Sequence, residues 1–153
     1  MYVLEVGSLS LNEEQAKAVR EYLLSGGFMV IDDFWGSWEW ENFEEQMNRV
    51  FPDRPIVPVA TSHPVFHAFY DISEVLQVPN VYQAQGGPTY EGDGKVPHVR
   101  GIFDDQQRLM VLINWNTDLG DAWEWADNPN YPLRYSTYAY EMAINFVIYG
   151  MSY

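Results

Sequence analysis

Apolar and polar positions follow two different periods along the chain, which predicts alternating strands and helices. Residues 2–6 (YVLEV) have the length and composition of a short strand. Residues 11–24 then repeat apolar side chains at helical spacing, and Ser10 and Glu13 stand at the spacing of a capping box. The first 24 residues therefore predict a strand followed by an amphipathic helix.

The next stretch continues this alternation. Gly26 and Gly27 stand where a helix ends, and residues 28–32 (FMVID) are typical of a buried strand. Apolar residues at helical spacing predict a second helix over 38–50. The residues Asp-Arg-Pro at 53–55 are expected to end this helix. A strand, a helix and a strand in this order predict a parallel βαβ unit with a right-handed crossover.

The second half of the chain is less regular. A short strand is predicted at 56–59, and the Gly- and Pro-rich residues 85–98 predict a flexible loop or lid. Two strands joined by a turn at 104–107 predict a β-hairpin within 98–116. A last helix, apolar on most faces and therefore buried, is predicted from Ser136 to Gly150. The whole pattern predicts one α/β domain.

Charge and composition narrow the function classes. The 22 acidic and 8 basic residues give a formal net charge of −14, which disfavours nucleic acid and anionic membranes as partners. Cationic partners and metal ions remain compatible with this charge. The longest apolar run is too short to span a bilayer, and no signal peptide opens the chain.

Several kinds of catalysis are disfavoured by what the chain lacks. Zero cysteines exclude disulfides, thiolate metal sites and a cysteine nucleophile. No G-x-S-x-G motif is present, and Ser25, Ser37 and Ser62 stand in turn or cap contexts. The Gly-rich stretch QGGPTYEGDG is acidic and does not join a strand to a helix as a phosphate loop does. The sequence predicts no cofactor.

Four separated blocks carry a resemblance to a known family. YLLSGGFMVIDDFWG, HPVFHAFYDI, RGIFDDQQRLMVLINWNTDLGDAWEW and YSTYAYEMAINFVIYGMSY resemble, in this order, the bacterial family catalogued as domain of unknown function 4159. That family is similar to the class I glutamine amidotransferase-like superfamily, whose fold is an open flavodoxin-like α/β sheet. The resemblance implies a mostly parallel sheet flanked by helices, with a β-hairpin insertion.

The resemblance also carries expectations about the whole protein. Members of the family usually have a further segment before YVLEV, which implies that 1–153 is the carboxy-terminal part of a longer domain, with a sheet edge open to self-association. They are typically secreted or membrane-anchored, which implies a periplasmic or secreted location. True amidotransferases use a cysteine on a strand-to-helix elbow, so this chain is expected to lack that activity.

The expected ligand site lies beyond the carboxyl ends of the strands, as in other open α/β sheets. Alternation along a strand places Asn114 and Asn116 on one side, with Asp118 joining them from the loop. A loop with two histidines is expected to close over the same edge. The predicted ligand-binding residues are Asp32, Asp33, Trp35, His63, His67, Asn114, Asn116 and Asp118.

Each of these residues has a structural alternative. The two aspartates are also typical of residues that cap the second helix and bind loop backbone amides, and His63 before Pro64 is typical of a residue that caps a turn. The ring of Trp35 is suited to packing against the sheet as well as to stacking on a sugar, and the same holds for the tryptophans at 38, 40, 123 and 125. A His/carboxylate metal site and a calcium site in NWNTDLGD remain open, although neither has a recognised ligand spacing.

Three functional hypotheses remain. The leading hypothesis is a non-catalytic module that binds a small molecule, a glycan or a protein on an amidotransferase-like scaffold. The enzyme alternative is a hydrolase of a sugar or small polar substrate, with Asp33 or Asp118 as general base and His63 assisting, possibly with a metal. The third is a structural subunit whose aromatic surface docks a partner, including a second copy of the chain.

Overall fold

The computed structural model describes residues 1–152, which form a sheet with helices packed on both faces. The elements in chain order are β1 (Tyr2–Leu4), α1 (Glu13–Leu24), β2 (Met29–Asp32), α2 (Gly36–Val50), β3 (Val57–Pro58), β4 (His98–Phe103), β5 (Leu109–Trp115), α3 (Leu119–Glu124) and α4 (Leu133–Ser152). Short 3₁₀ turns occupy Val6–Ser8, Pro64–Phe66 and Gln83–Gln85. The predicted α/β class is confirmed.

The five strands form one mixed sheet in the order β1-β2-β5-β4-β3. β1 pairs with β2 and β2 with β5 in parallel, while β4 runs antiparallel to both β5 and β3. Four of the five strands therefore point in the same direction, and the prediction of an open, mostly parallel sheet is confirmed. The strands at 98–103 and 109–115 pair as neighbours across the turn that the sequence predicted.

The two faces of the sheet carry separate hydrophobic cores. Alternation along β2 sends Val30 to the face covered by α3 and α4, and Met29 and Ile31 to the face covered by α1 and α2. Because β2 and β5 are buried on both faces, their side chains are almost all apolar, as in other central parallel strands. The polar exceptions in these strands, Asp32 and Asn114, stand at their carboxyl ends.

Several sequence-based details are corrected by the structure. The capping box of α1 is formed by Asn12 and Gln15 rather than Ser10 and Glu13, because the helix begins two residues later than predicted. Helix α4 extends past the predicted 136–150 at both ends, and it is buried on one face only. Its other face exposes apolar side chains, including Val147 at 60% and Met151 at 83% of their surface.

An apolar groove lies beside the edge strand β1, between the end of α1 and the outer face of α4. Its volume is about 860 Å³. The lining residues are Met1, Tyr2, Tyr22, Ser25, Gly26, Gly27, Phe28, Val30, Trp123, Ala143, Phe146, Val147, Gly150 and Met151. Among these residues none has an acidic or basic side chain, in a chain of net charge −14.

None of the helices formed by residues 1–152 has the length and apolar character needed to span a membrane.

Candidate functional site: an acidic cleft at the strand ends

The three mutually parallel strands β1, β2 and β5 are each followed by a residue with left-handed backbone. These residues are Glu5 after β1 (φ 53°), Asp33 after β2 (φ 52°) and Asn116 after β5 (φ 63°). A left-handed conformation costs a non-glycine residue about 1 kcal/mol, so it persists where other contacts enforce it. Here neighbouring strand ends enforce it, because the N–H of Glu5 donates to the carbonyl of Asp33 (2.9 Å) and that of Asp33 to the carbonyl of Thr117 (3.2 Å).

A cleft of about 410 Å³ opens over these strand ends. It is lined by Glu5, Gly7, Ser8, Asp33, Trp35, Trp38, Glu39, Asn80, Tyr82, Glu91, Asp118 and Asp121. Six of these residues are acidic and none is basic. Two aromatic rings at the cleft are largely exposed, Trp38 at 72% and Tyr82 at 84% of their surface. The cleft therefore combines concentrated negative charge with accessible aromatic rings.

Asp33 and Asp118 are the two predicted carboxylates that share this cleft. Burial, together with the charges of Glu5 and Glu91, raises the pKa of Asp33 to about 6, although Trp35 Nε1 donates to its Oδ1 (3.0 Å). Burial and the nearby charge of Asp33 raise the pKa of Asp118 to about 8. The second oxygen of Asp118 makes no hydrogen bond with a described residue, since only Oδ1 accepts, from Asp121 N–H (2.8 Å). Near neutral pH the pair therefore holds a proton.

Asp32 does not line the cleft, although it precedes Asp33 directly. It points to the opposite face of the sheet and is completely buried. Its Oδ2 accepts three hydrogen bonds, from Tyr2 Oη (2.5 Å), Leu119 N–H (2.8 Å) and Gly120 N–H (3.1 Å). Burial raises the pKa of Asp32 to about 7 despite these donors. Asp32 thus joins β1 and α3 to β2, and it does not cap the second helix as the structural alternative expected.

The two predicted asparagines have separate environments. Asn116 leaves the strand through its left-handed backbone, so strand alternation does not hold it beside Asn114. Its Oδ1 accepts from Gly36 N–H (2.8 Å) and its Nδ2 donates to the Val96 carbonyl (2.8 Å). Asn116 therefore fixes the start of α2 and a loop beside the cleft. Asn114 is buried, with its side-chain Nδ2 unpaired among the described residues.

Trp35 lies at the cleft but is 7% exposed, and it is the cap residue of α2. Its backbone N–H donates to Glu39 Oε2 (2.6 Å), which places that carboxylate at the cleft as well. Trp40 packs in the core against Phe34 and Phe43, as the structural alternative expected. Trp38, which points away from this core, is the tryptophan left accessible to a ligand.

The structure does not bring the two histidines to the cleft. The ring of His63 packs against Phe103 and Tyr149, 5.7 and 5.6 Å between centroids, and the hydroxyl of Tyr149 accepts from Leu109 N–H at the start of β5. His63 Nδ1 accepts from Val65 N–H (3.2 Å), so it caps the 3₁₀ turn. His63 therefore lies near the start of β5, whereas Asp118 follows the carboxyl end of that strand.

His67 closes its own loop. One ring nitrogen lies 2.9 Å from Asp71 Oδ1 and the other 2.8 Å from the carbonyl of Thr61. The hydrogen bond with Asp71 and that with Thr61 raise the pKa of His67 above its usual value. Within residues 1–152, no group of three or more His, Asp or Glu side chains is arranged to hold a metal ion.

Several acidic and aromatic residues of the cleft were not among the predicted site residues. Glu5 follows the edge strand, Glu91 belongs to the loop predicted over 85–98, and Asp121 lies in α3. That loop is held at the site, because Asn80 Nδ2 donates to Glu91 Oε1 (2.6 Å) and Asp93 caps α2 through Ser37 N–H (2.9 Å). The sequence signal that could have identified these residues is the high acidic content of the segments that follow strand ends.

These features define an α/β protein whose mostly parallel sheet carries an acidic, aromatic-rimmed cleft at its carboxyl edge. A comparison with family models gives the identification. The chain belongs to the family described as "Domain of unknown function (DUF4159)", whose model matches residues 1–151. A comparison with curated proteins finds no match.

Proposed function

We propose that the protein is a non-catalytic ligand-binding module, and that its ligand occupies the acidic cleft and carries a positively charged group. The observation that carries this proposal is the collection of six carboxylates around one cleft with no basic residue among those that line it. Burial, together with repulsion from neighbouring carboxylates, raises the pKa values of Asp33 and Asp118, which costs stability. A ligand cation would remove that cost.

The exposed aromatic rings support the same ligand class. Trp38 and Tyr82 stand at the cleft with most of their surface uncovered, so their packing within the chain does not account for them. An ammonium or guanidinium group is attracted to the face of an aromatic ring by about 0.5–2 kcal/mol. A small molecule, a glycan with an amino group or a basic protein side chain would satisfy both the rings and the carboxylates.

The hydrolase alternative receives less support from the geometry. Asp33 and Asp118 share the cleft and influence each other's charge, as a general base and its partner would. His63, the residue expected to assist, packs instead near the start of β5. A hydrolase would therefore have to work with carboxylates alone, so we favour binding without catalysis.

The wider setting of the module belongs to the same proposal. The mostly parallel sheet supports a flavodoxin-like, glutamine amidotransferase-like scaffold with the β4-β5 hairpin inserted in it. The absence of cysteine from the sequence removes the nucleophile that amidotransferases use. A periplasmic or secreted location, and a place at the carboxy-terminal end of a longer domain, are the setting that the family resemblance implies.

Equilibrium binding with probes of different charge tests the proposal. We expect spermidine and arginine methyl ester to bind, and N-acetylglucosamine and citrate not to bind, in isothermal titration calorimetry at low salt. The exchange Trp38→Ala is expected to weaken binding by roughly 3- to 30-fold. Tyr140→Ala removes an aromatic ring that is 48% exposed on α4, away from the cleft, and serves as the matched control.

Two results would contradict the proposal. Absence of binding by both cationic probes would remove the ligand class, and equal losses in Trp38→Ala and Tyr140→Ala would remove the cleft as the site.

A further inference from the structure

A second group of polar side chains lies behind the cleft, on the face of the sheet covered by α3 and α4. Asp32, Asn114 and Ser136 are 0%, 1% and 3% exposed. Each has a buried side-chain atom without a hydrogen-bond partner among the described residues, namely Oδ1 of Asp32, Nδ2 of Asn114 and Oγ of Ser136. Buried polar atoms are nearly always paired, so three such atoms in one region need an explanation.

The fold brings these three residues to the same level of the sheet. Ile31 pairs with Ile113 in parallel register, so Asp32 and Asn114 follow as neighbours about 4.8 Å apart across the strands. Helix α4 runs back along β5, since the Tyr149 hydroxyl accepts from Leu109 N–H. Thirteen helical residues from Tyr149 to Ser136 span about 20 Å, and five strand residues from Leu109 to Asn114 about 17 Å.

An electrostatic interaction between α4 and Asp32 agrees with this placement. Tyr138, two residues beyond Ser136 on α4, has its pKa raised to about 12 by burial and by the charge of Asp32, among other groups. This part of α4 therefore lies within electrostatic reach of the buried carboxylate.

When the carboxyl group of Asp32 is ionised, water alone would leave its charge uncompensated. Its Oδ2 accepts three hydrogen bonds while Oδ1 accepts none from the described residues. The charged neighbour that acts on it most is Asp33, which is also negative. Buried charges in proteins are paired with an opposite charge or coordinate an ion. A water molecule would fill the hydrogen-bonding need and not the need for a counter-charge.

We propose that Asp32, Asn114 and Ser136 form an internal site for an alkali cation, Na⁺ or K⁺. The oxygen ligands are Asp32 Oδ1, Ser136 Oγ and the amide oxygen of Asn114. The Asn114 amide presents its oxygen after a half-turn about its last bond, which breaks no hydrogen bond to a described residue. Hard oxygen donors of this kind suit alkali and alkaline-earth ions, and a single carboxylate matches a single positive charge.

Such an ion would connect elements that are far apart in the sequence. Asp32 already holds Tyr2 of β1 and the first residues of α3, and Ser136 belongs to α4. A cation between them ties β2, β5, α3 and α4 together, so its binding energy adds to the stability of the folded chain.

Thermal unfolding in different chlorides tests this site. At pH 8.5, where Asp32 is ionised, and at one ionic strength of about 0.15 M, we expect Tm to be about 3 °C or more higher in NaCl or KCl than in tetramethylammonium chloride, whose cation is too large to enter. Comparison of NaCl with KCl then shows which ion fits better. Equal Tm values in all three salts overturn the proposal and leave an internal water as the occupant.

Three variants separate this site from the cleft. Ser136→Ala and Asp32→Asn each remove one ligand and are expected to abolish the difference between the salts. Glu5→Gln is the control, because it neutralises an exposed carboxylate on the cleft side that does not act on Asp32, and it is expected to keep that difference. If Asp32→Asn does not fold, Ser136→Ala decides alone, and an unchanged salt difference in that variant overturns the proposal.

Discussion

At the residue scale, Asp118 shows how one carboxyl group serves structure at a cost in stability. Its Oδ1 accepts from Asp121 N–H and so caps α3, which only an oxygen acceptor at this position can do. The same burial that fixes this cap raises the pKa of Asp118 to about 8, with the charge of Asp33 adding to the effect. An amide at position 118 would keep the acceptor and remove the charge.

We therefore expect Asp118→Asn to stabilise the fold in alkaline solution. Because the folded pKa of Asp118 lies above its unfolded value near 3.8, its contribution to stability is complete at low pH and is lost as pH rises from about 4 to about 8. The variant should exceed the wild type by several kcal/mol and at most about 6 kcal/mol at pH 8.5, since each pKa unit of the shift corresponds to about 1.4 kcal/mol, with little gain at pH 4. Calorimetric melting at both values measures this, and a gain that does not depend on pH would contradict it.

At the element scale, the strands and helices could be predicted from sequence more completely than the cleft. The periodic spacing in 13–24 and the continuous apolar run of β5 are local signals, so the sequence located these elements within a few residues. The role of Asn116 depends on Gly36 and Val96, which are 80 and 20 residues away in the chain. His63 was expected at the cleft but lies elsewhere. The direction that a loop takes cannot be inferred from its composition. Long-range pairing therefore decided which polar residues meet.

Asn116 is expected to hold the start of α2 and the loop before β4 together. Asn116→Ala removes both hydrogen bonds and places alanine at φ 63°, which should cost roughly 2–3 kcal/mol in the free energy of unfolding by urea. Asn116→Gly loses the same bonds and tolerates this backbone, so it should cost about 1 kcal/mol less. Asn48→Ala on the exposed surface of α2 is the control. Equal losses in the alanine and glycine variants would show that the left-handed backbone is not strained.

At the scale of the whole molecule, charge and apolar surface are separated. Acidic side chains gather at the cleft over the strand ends, whereas the groove beside β1 is lined by residues without acidic or basic side chains. An apolar groove of about 860 Å³ beside an edge strand is larger than the acidic cleft. Exposed apolar surface of this kind is typical of a contact surface, and an open edge strand offers unpaired backbone groups to a partner. The groove is therefore where the predicted self-association would occur.

We expect the protein to form dimers through this groove, and to do so more readily as salt is added. Each copy carries a net charge of −14, so repulsion opposes association until salt screens it, while the side chains that line the groove are uncharged. Sedimentation velocity at 50 and 500 mM NaCl should show a larger dimer fraction at the higher salt. Val147→Glu places a charge in the groove and should abolish the dimer, whereas Leu133→Glu, which alters a residue 74% exposed outside the groove, should not. A monomer under every condition, or a dimer that survives Val147→Glu, would assign the groove no role in self-association.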